Sequence, residues 1–200
     1  MAPLFLGRRP PHPTFRMSDT DLATPPHEVL AFWQDAGPKR WFQHDQDFDT
    51  QFRDRFLAVH EAAAAGALDH WLASAEGALA LVLLLDQFPR NAFRGTARMY
   101  ATDAQARAAA DLAIRAGFDR TVQQELRQFF YLPFMHSEQL EDLDRCVTLN
   151  EQIGGEPLRF ARHHRDIVAR FGRFPHRNAL LGRRSTQEEE QFLAEGGFGG

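Results

Sequence analysis

Two strings, eighty-six residues apart, repeat one chemical idea. Phe88-Pro89-Arg90-Asn91-Ala92-Phe93-Arg94-Gly95 and Phe174-Pro175-His176-Arg177-Asn178-Ala179-Leu180-Leu181-Gly182 both read F-P, then R-N-A, then a hydrophobe and glycine. Proline ends a helix, asparagine tolerates turn geometry, and arginine offers a rigid fork of donors suited to a carboxylate or phosphate. Arg90, Asn91, His176, Arg177 and Asn178 are therefore candidates for gripping an anion. The plainer reading is that each Arg caps helix carbonyls and each Asn closes its turn.

Asp86 sharpens the choice. It follows Leu83-Leu84-Leu85 at what reads as the last turn of an apolar helix, where the dipole disfavours negative charge. It needs a cation, and Arg90 four residues on is the first partner, with a tuned acid or base as the alternative role. His164 occupies a core-like place in the stripe Phe160, His164, Ile167, Phe171, with His163 on an adjoining face. A lone core histidine is more often packing than catalysis. Pro133-Phe134-Met135-His136-Ser137-Glu138 puts a histidine and a glutamate around an expected helix start, whose free amides favour anions. There Ser137 is the expected cap and Glu138 a first-turn acid. A metal set of His136, Glu138, His164 and Asp86 lacks the spacing of known zinc motifs, so neither a metal nor another cofactor is expected. A Ser137 nucleophile lacks the G-x-S-x-G turn, and no glycine-rich phosphate loop is present.

The elements that must position these groups follow from the punctuation. Thr24 and Pro25 open a helix carrying Val29, Leu30, Phe32 and Trp33 that stops at Gly37-Pro38. A second spans about 47–65, with Phe48, Phe52, Phe56, Val59 and Ala63 on one face and Gly66 after it. Ser74 opens the apolar helix ending at Phe88 before Pro89. Thr102 and Gln105 read as a capping box for a helix closing at Gly117, and the next, about 121–131, meets Pro133. Ser137 caps a helix released by Gly154-Gly155. Pro157 starts another that ends at Phe171-Gly172, and Ser185 with Glu188 boxes the last before a glycine-rich tail. About eight helices and no strand result: an all-α fold of antiparallel hairpins, as a bundle or a superhelix, without the 34-residue repeat consensus.

Composition excludes several classes. A hydrophobic share of 44% is ample for a core, and 200 residues suit one domain, here 25–200, after a Pro-rich, disordered lead at 1–24 in which Met17 offers a second start. The net charge of -4, with arginines scattered, gives no field to hold nucleic acid. The longest apolar run, 78–85, is far too short for a membrane, and the basic pair Arg8-Arg9 follows rather than precedes the short apolar start, unlike an export signal. A lone cysteine, Cys146, reads as a small buried hydrophobe and fits a cytoplasmic protein.

At the strings L-D-Q-F-P-R-N (85–91), P-F-M-H-S-E (133–138) and R-F-G-R-F-P-H-R-N (170–178) the chain resembles the bacterial domain-of-unknown-function family 924. V-L-A-F-W (29–33) and R-S-T-Q-E-E (184–189) agree, so the resemblance covers about residues 26–198. It implies an all-helical, tetratricopeptide-like superhelix without assigned activity. The family pattern falls on Asp86, Arg90, Asn91, His136, Ser137, Glu138, His164, Arg173, His176, Arg177 and Asn178. Two positions depart from it: Gln34, where an aromatic is usual and a pocket wall would change, and Leu143, where Gln is common.

These observations lead to a polar pocket holding a small anionic molecule, as a binding site or as an enzyme with His136 or His164 as base and Glu138 or Asp86 orienting it. Arg90, Asn91, Ser137, Arg173, His176, Arg177 and Asn178 would bind the ligand. The rival is a scaffold whose groove holds an acidic peptide. A deep pocket joining Arg90, Arg177, His136 and His164 favours the first, a long open groove the second. The sequence leaves the oligomeric state open.

Overall fold

The computed structural model describes residues 24–199, so the lead assigned to 1–24 lies outside the described residues up to residue 23. All regular structure among the described residues is helical. In order come α1 (Pro26–Trp41), α2 (Gln46–Ala64), α3 (Ala75–Val82), α4 (Phe88–Ala92), α5 (Asp103–Arg115), α6 (Gln124–Met135), α7 (Leu140–Asn150), α8 (Gly155–Phe171) and α9 (Gln187–Ala194). A π-helical turn, Leu83–Gln87, carries α3 into α4 without a break, so the nine α-helical segments of the described residues make eight helices. None is long and apolar enough to cross a membrane.

Much of the punctuation operates as its chemistry demands. Asp45 accepts from the amides of Asp47 and Phe48 to start α2, and Ser74 accepts from Gly77 to start α3. Gly37, at φ 72°, breaks α1 into two pieces, as Gly37-Pro38 implied. Gly77 is required for packing: a Cβ there would stand 2.3 Å from the Trp71 carbonyl oxygen.

Four expectations are corrected. Thr24 does not cap α1, whose N-cap is Pro25. The box expected at Thr102 and Gln105 does not form, because the threonine hydroxyl donates to Leu85 O (2.6 Å) and the Gln105 amide to Ala64 O (2.8 Å). The box expected at Ser185 and Glu188 sits one residue later, at Thr186 and Glu189. Pro89 and Pro133 both lie inside helices rather than ending them.

Pro89 is accommodated by a detour with side-chain donors around it. The Phe88 amide bonds back to Leu83 O, the π step, and Pro89 has no amide to give, so the carbonyls before it need other partners. His60 Nδ1 donates to Leu84 O (2.9 Å) and Thr102 Oγ1 to Leu85 O (2.6 Å). Arg90 Nη1 donates to Asp86 O (2.8 Å), and Asn91 Nδ2 to Gln87 O (2.8 Å). Four successive carbonyls thus receive four side chains. Asp86 consequently sits in mid-helix, not in a last turn.

The α3 helix is the buried axis: every residue from Gly77 through Pro89 is buried. It packs against α1, α5 and α6, while α7 lies between α6 and α8. Phe32, Trp33, Phe48, Phe52 and Phe56 interlock at centroid distances of 5.2–5.9 Å, and Trp33 meets Phe129 edge-on at 5.3 Å. Edge and offset contacts of this kind add to the burial of each ring. A second, smaller core joins Leu143, Ile167, Val168 and Phe174 with Phe171, Phe192 and Phe198. Leu143, one of the two departures, is fully buried there, and Gln34, the other, bonds Gln123 on the surface, away from the charged cluster.

Candidate functional site

The charged residues singled out in the sequence gather where the two cores meet. Asp86, at 0% exposure, accepts from His136 Nδ1 (2.8 Å) and Gln87 Nε2 (2.7 Å), and its Oδ1 lies 3.2 Å from Arg90 Nη1. Burial alone would raise its pKa; the Arg90 charge and the His136 contact outweigh that and bring it to about 2. Burial lowers the pKa of His136, and Arg90 adds to this against the opposing pull of Asp86. The imidazole is then neutral near pH 7, with its proton on Nδ1 facing Asp86 and its Nε2 lone pair free of hydrogen bonds to the described residues.

Arg90 is held by a carboxylate and a carbonyl. It forms a two-point bond to Asp103, Nη1 to Oδ1 at 2.9 Å and Nη2 to Oδ2 at 3.2 Å, besides its bond to Asp86 O. Its twin from the second string reaches the same carboxylate less closely: Arg177 Nη1 stands 3.7 Å from Asp103 Oδ2. The echo in sequence is therefore not an echo in structure, since Phe88-Pro89 lies in a helix and Pro175–Arg177 forms a 3₁₀ turn, but both arginines converge on Asp103. Arg177 is only 6% exposed, and its Nε is buried with no hydrogen-bond partner among the described residues. Its guanidinium lies 4.6 Å from the Tyr100 ring centroid and 4.5 Å from that of Phe174. Burial, then the charge of Arg90, lowers its pKa, and burial raises that of Tyr100.

Glu138 is neither a first-turn acid nor the partner of a histidine. Arg183 holds it at two points (2.7 and 2.9 Å), and it accepts the Phe174 amide at 2.8 Å. Arg183 also donates to Phe174 O (3.2 Å) and to Asn178 Oδ1 (2.9 Å), so this pair fixes the backbone on both sides of the Phe174 ring. Arg173 is consumed by Glu189 (2.6 and 2.8 Å), which also accepts from Asn178 at 3.2 Å. Ser137 does not cap α7, whose N-cap is Gln139; its hydroxyl donates to Asp142 (2.6 Å) and accepts the Gln139 amide. Asn91, in α4, is held by Gln87 O and Arg94 and lines a surface cavity with His44 and Asp49.

His164 and His176 complete the cluster. His164 Nδ1 donates to Phe160 O (2.8 Å), burial depresses its pKa to about 3, and Phe160 itself is exposed, so the stripe is not a continuous core face. Burial and then Arg177 lower His176 to about 4, and its Nδ1 is buried without a partner among the described residues. Both imidazoles lie 5.6 Å from the Phe174 centroid. No group of three or more ligating side chains among the described residues is placed to hold a metal. Cys146 is fully buried, with its thiol pushed up to about 12.

The cluster thus joins Arg90, Arg177, His136, His164, His176 and Asp86, and holds Glu138, Arg173 and Asn178 in the frame beside it. Within it His164 and Arg177 are buried, and His136 and His176 are half-buried. Surface cavities of about 630 and 440 Å³ lie elsewhere, the first against Trp41, Gln123 and Gln128, the second against His44, Asp49 and Arg94. Four contributors were not foreseen. Asp103 reads as an ordinary helix-start acid, Tyr100 ends the 3₁₀ turn Ala97–Tyr100, Arg183 lies in the loop before α9, and Phe198 is a lone aromatic among glycines. Only the last carries a local signal.

The family model described as "Bacterial protein of unknown function (DUF924)" matches residues 29–197. A solved structure of a protein of unknown function from Agrobacterium tumefaciens is 56% identical, with a TM-score of 0.84, covering 85% of this chain and 97% of that one. No curated protein matches.

Proposed function

The chain belongs to the bacterial protein family of unknown function DUF924, and from that premise we propose that it binds a small anionic molecule at Arg177, beside a neutral histidine able to accept a proton. One observation carries the reading: Arg177 is nearly buried yet makes no close side-chain hydrogen bond to the described residues, whose nearest carboxylate is 3.7 Å away. A guanidinium out of water without its bonds is costly, and an incoming carboxylate or phosphate oxygen relieves that cost. Arg90 and Arg183, by contrast, already hold carboxylates at two points each.

The Asp86–His136 pair supplies the chemistry such a site can perform. Asp86 fixes the Nδ1–H tautomer, which leaves Nε2 as an acceptor, the arrangement of a general base. A reaction of the bound anion would then begin with proton transfer to His136 Nε2, with Asp86 steadying the imidazolium. Glu138 and Arg183 act indirectly, by fixing Phe174. The acidic-peptide scaffold has less behind it, because Arg90, Arg173 and Arg183, which would clamp such a peptide, are each engaged by a carboxylate of this chain. A single buried thiol suits a reducing compartment, and we place the protein in the cytoplasm.

The test is a thermal-shift comparison of the parent with Arg177→Lys in acetate, phosphate and citrate. Stabilisation of the parent by an anion, lost in a variant that keeps the charge but not the fork, supports the site. No stabilisation of the parent by any of them sinks it.

A further inference from the structure

The chain after α9 turns back onto the histidines. Gly196, at φ 84°, donates its amide to Leu193 O, and the Gly197 amide reaches Phe192 O (2.9 Å), a reversal that closes the helix and redirects the chain. A Cβ on Gly197 would stand 2.5 Å from Phe192 O, so only glycine passes there. The reversal lays the Phe198 ring edge-on against three imidazoles, with centroids 4.6 Å from His164, 5.1 Å from His176 and 5.7 Å from His163. Phe198 joins Phe171 and Phe192, which pair at 5.0 Å, at the edge of the smaller core. From there it also covers the imidazole face that shares the Phe174 ring with Arg177.

Charge limits what can bind. Around the cluster Asp86, Asp103 and Glu138 face Arg90, Arg177 and Arg183, and of these three arginines Arg177 alone makes no side-chain hydrogen bond to the described residues. One free fork suits one anionic group. Resting on the anion-site reading above, we propose that the ligand is a planar aromatic monocarboxylate whose ring takes the place of Phe198 against His164 and His176 while its carboxylate meets Arg177, and that Phe198 is the side chain setting this preference. Phe198 holds the face dry until the ligand's ring replaces it, edge contact for edge contact.

The experiment uses the full chain, Phe198→Ala and Phe198→Leu, with benzoate, acetate and inorganic phosphate as probes. Affinity is read by calorimetry, and diethyl pyrocarbonate modification of His164 and His176 by mass spectrometry, with exposed His27 and His44 as internal controls. We expect Phe198→Ala to bind benzoate about tenfold more tightly than the parent, with acetate changed less than about threefold. Modification of His164 and His176 should quicken in Phe198→Ala and be slowed again by benzoate, with the controls unmoved. Phe198→Leu keeps apolar bulk and should stay near the parent; it serves as the folded comparison should the alanine variant unfold, and benzoate must still outbind acetate there. Equal gains for acetate and benzoate, or unchanged modification of both histidines in Phe198→Ala, overturn the proposal while leaving the anion site standing. Faster modification with no anion binding to any of the proteins overturns the anion site itself and the ligand class with it.

Discussion

His136 Nδ1 lies 2.8 Å from Oδ1 of Asp86, fifty residues earlier in the chain, and the contact joins the end of α6 to the π turn between α3 and α4. Asp86 meets this imidazole at full burial only because Arg90 and Gln87 share its charge. Replacing Asp86 with Asn should therefore cost about 3 kcal/mol of stability, the order expected when one member of a buried ionic network is removed. Urea unfolding of the parent and Asp86→Asn measures this, and a loss under about 1 kcal/mol would show that the carboxylate is not the anchor.

The twin arginines should separate. Arg90→Lys forfeits a two-point bond to Asp103 and a carbonyl contact, and is expected to lose about 2 kcal/mol. Arg177→Lys gives up ring contacts and a 3.7 Å approach, and should lose about 1 kcal/mol or less. Equal losses in denaturant titrations would mean that Arg177 is as firmly bonded as Arg90, removing the main support for a ligand there.

Acid should weaken the fold well before its carboxylates titrate. His60, His164 and His176 fall to about 4, 3 and 4 when folded, against 6.5 when free, each chiefly through burial. Below pH 6.5 the unfolded chain takes up protons that the folded chain refuses, so stability is complete above that pH and declines as pH falls toward 4. The slope approaches roughly 1.4 kcal/mol per pH unit for each such histidine. Asp86 and Glu189, both held near 2, extend the decline in the same direction at lower pH. Melting temperatures that stay flat from pH 7.5 to 5 would contradict the buried, neutral state of these imidazoles.

The Pro89 detour predicts a coupled pair. Thr102→Val strands the Leu85 carbonyl and should cost about 1 to 2 kcal/mol, while Thr102→Ser keeps the donor and costs less. In a Pro89→Ala background an amide is available again, so the same Thr102→Val change should cost less than about half as much, a non-additivity that a double-mutant cycle reads directly. Additive losses would mean that the hydroxyl serves packing instead.

The sequence determined by itself whatever depends on neighbours along the chain. Helical periodicity, the breaks at Gly37, Gly66 and Gly117, the start at Ser74, the burial of 78–85 and of Cys146, and the Asp86–Arg90 pair all follow from spacings of a turn or two. The family strings marked most of the clustered residues as well. Local signals misled wherever a distant group supplied what the neighbours lacked: Pro89 reads as a stop until His60 and Thr102 serve the carbonyls ahead of it. The polar partnerships are of the same kind. Glu138 stands beside His136 and Ser137 in sequence yet binds Arg183, forty-five residues on, while His136 turns to Asp86. Asp103 looks like any helix-start acid and becomes the shared carboxylate of both arginines. Such choices belong to the tertiary structure because a buried charge takes the partner that packing of the helices brings within about 3 Å, and sequence spacing says nothing about which one that is.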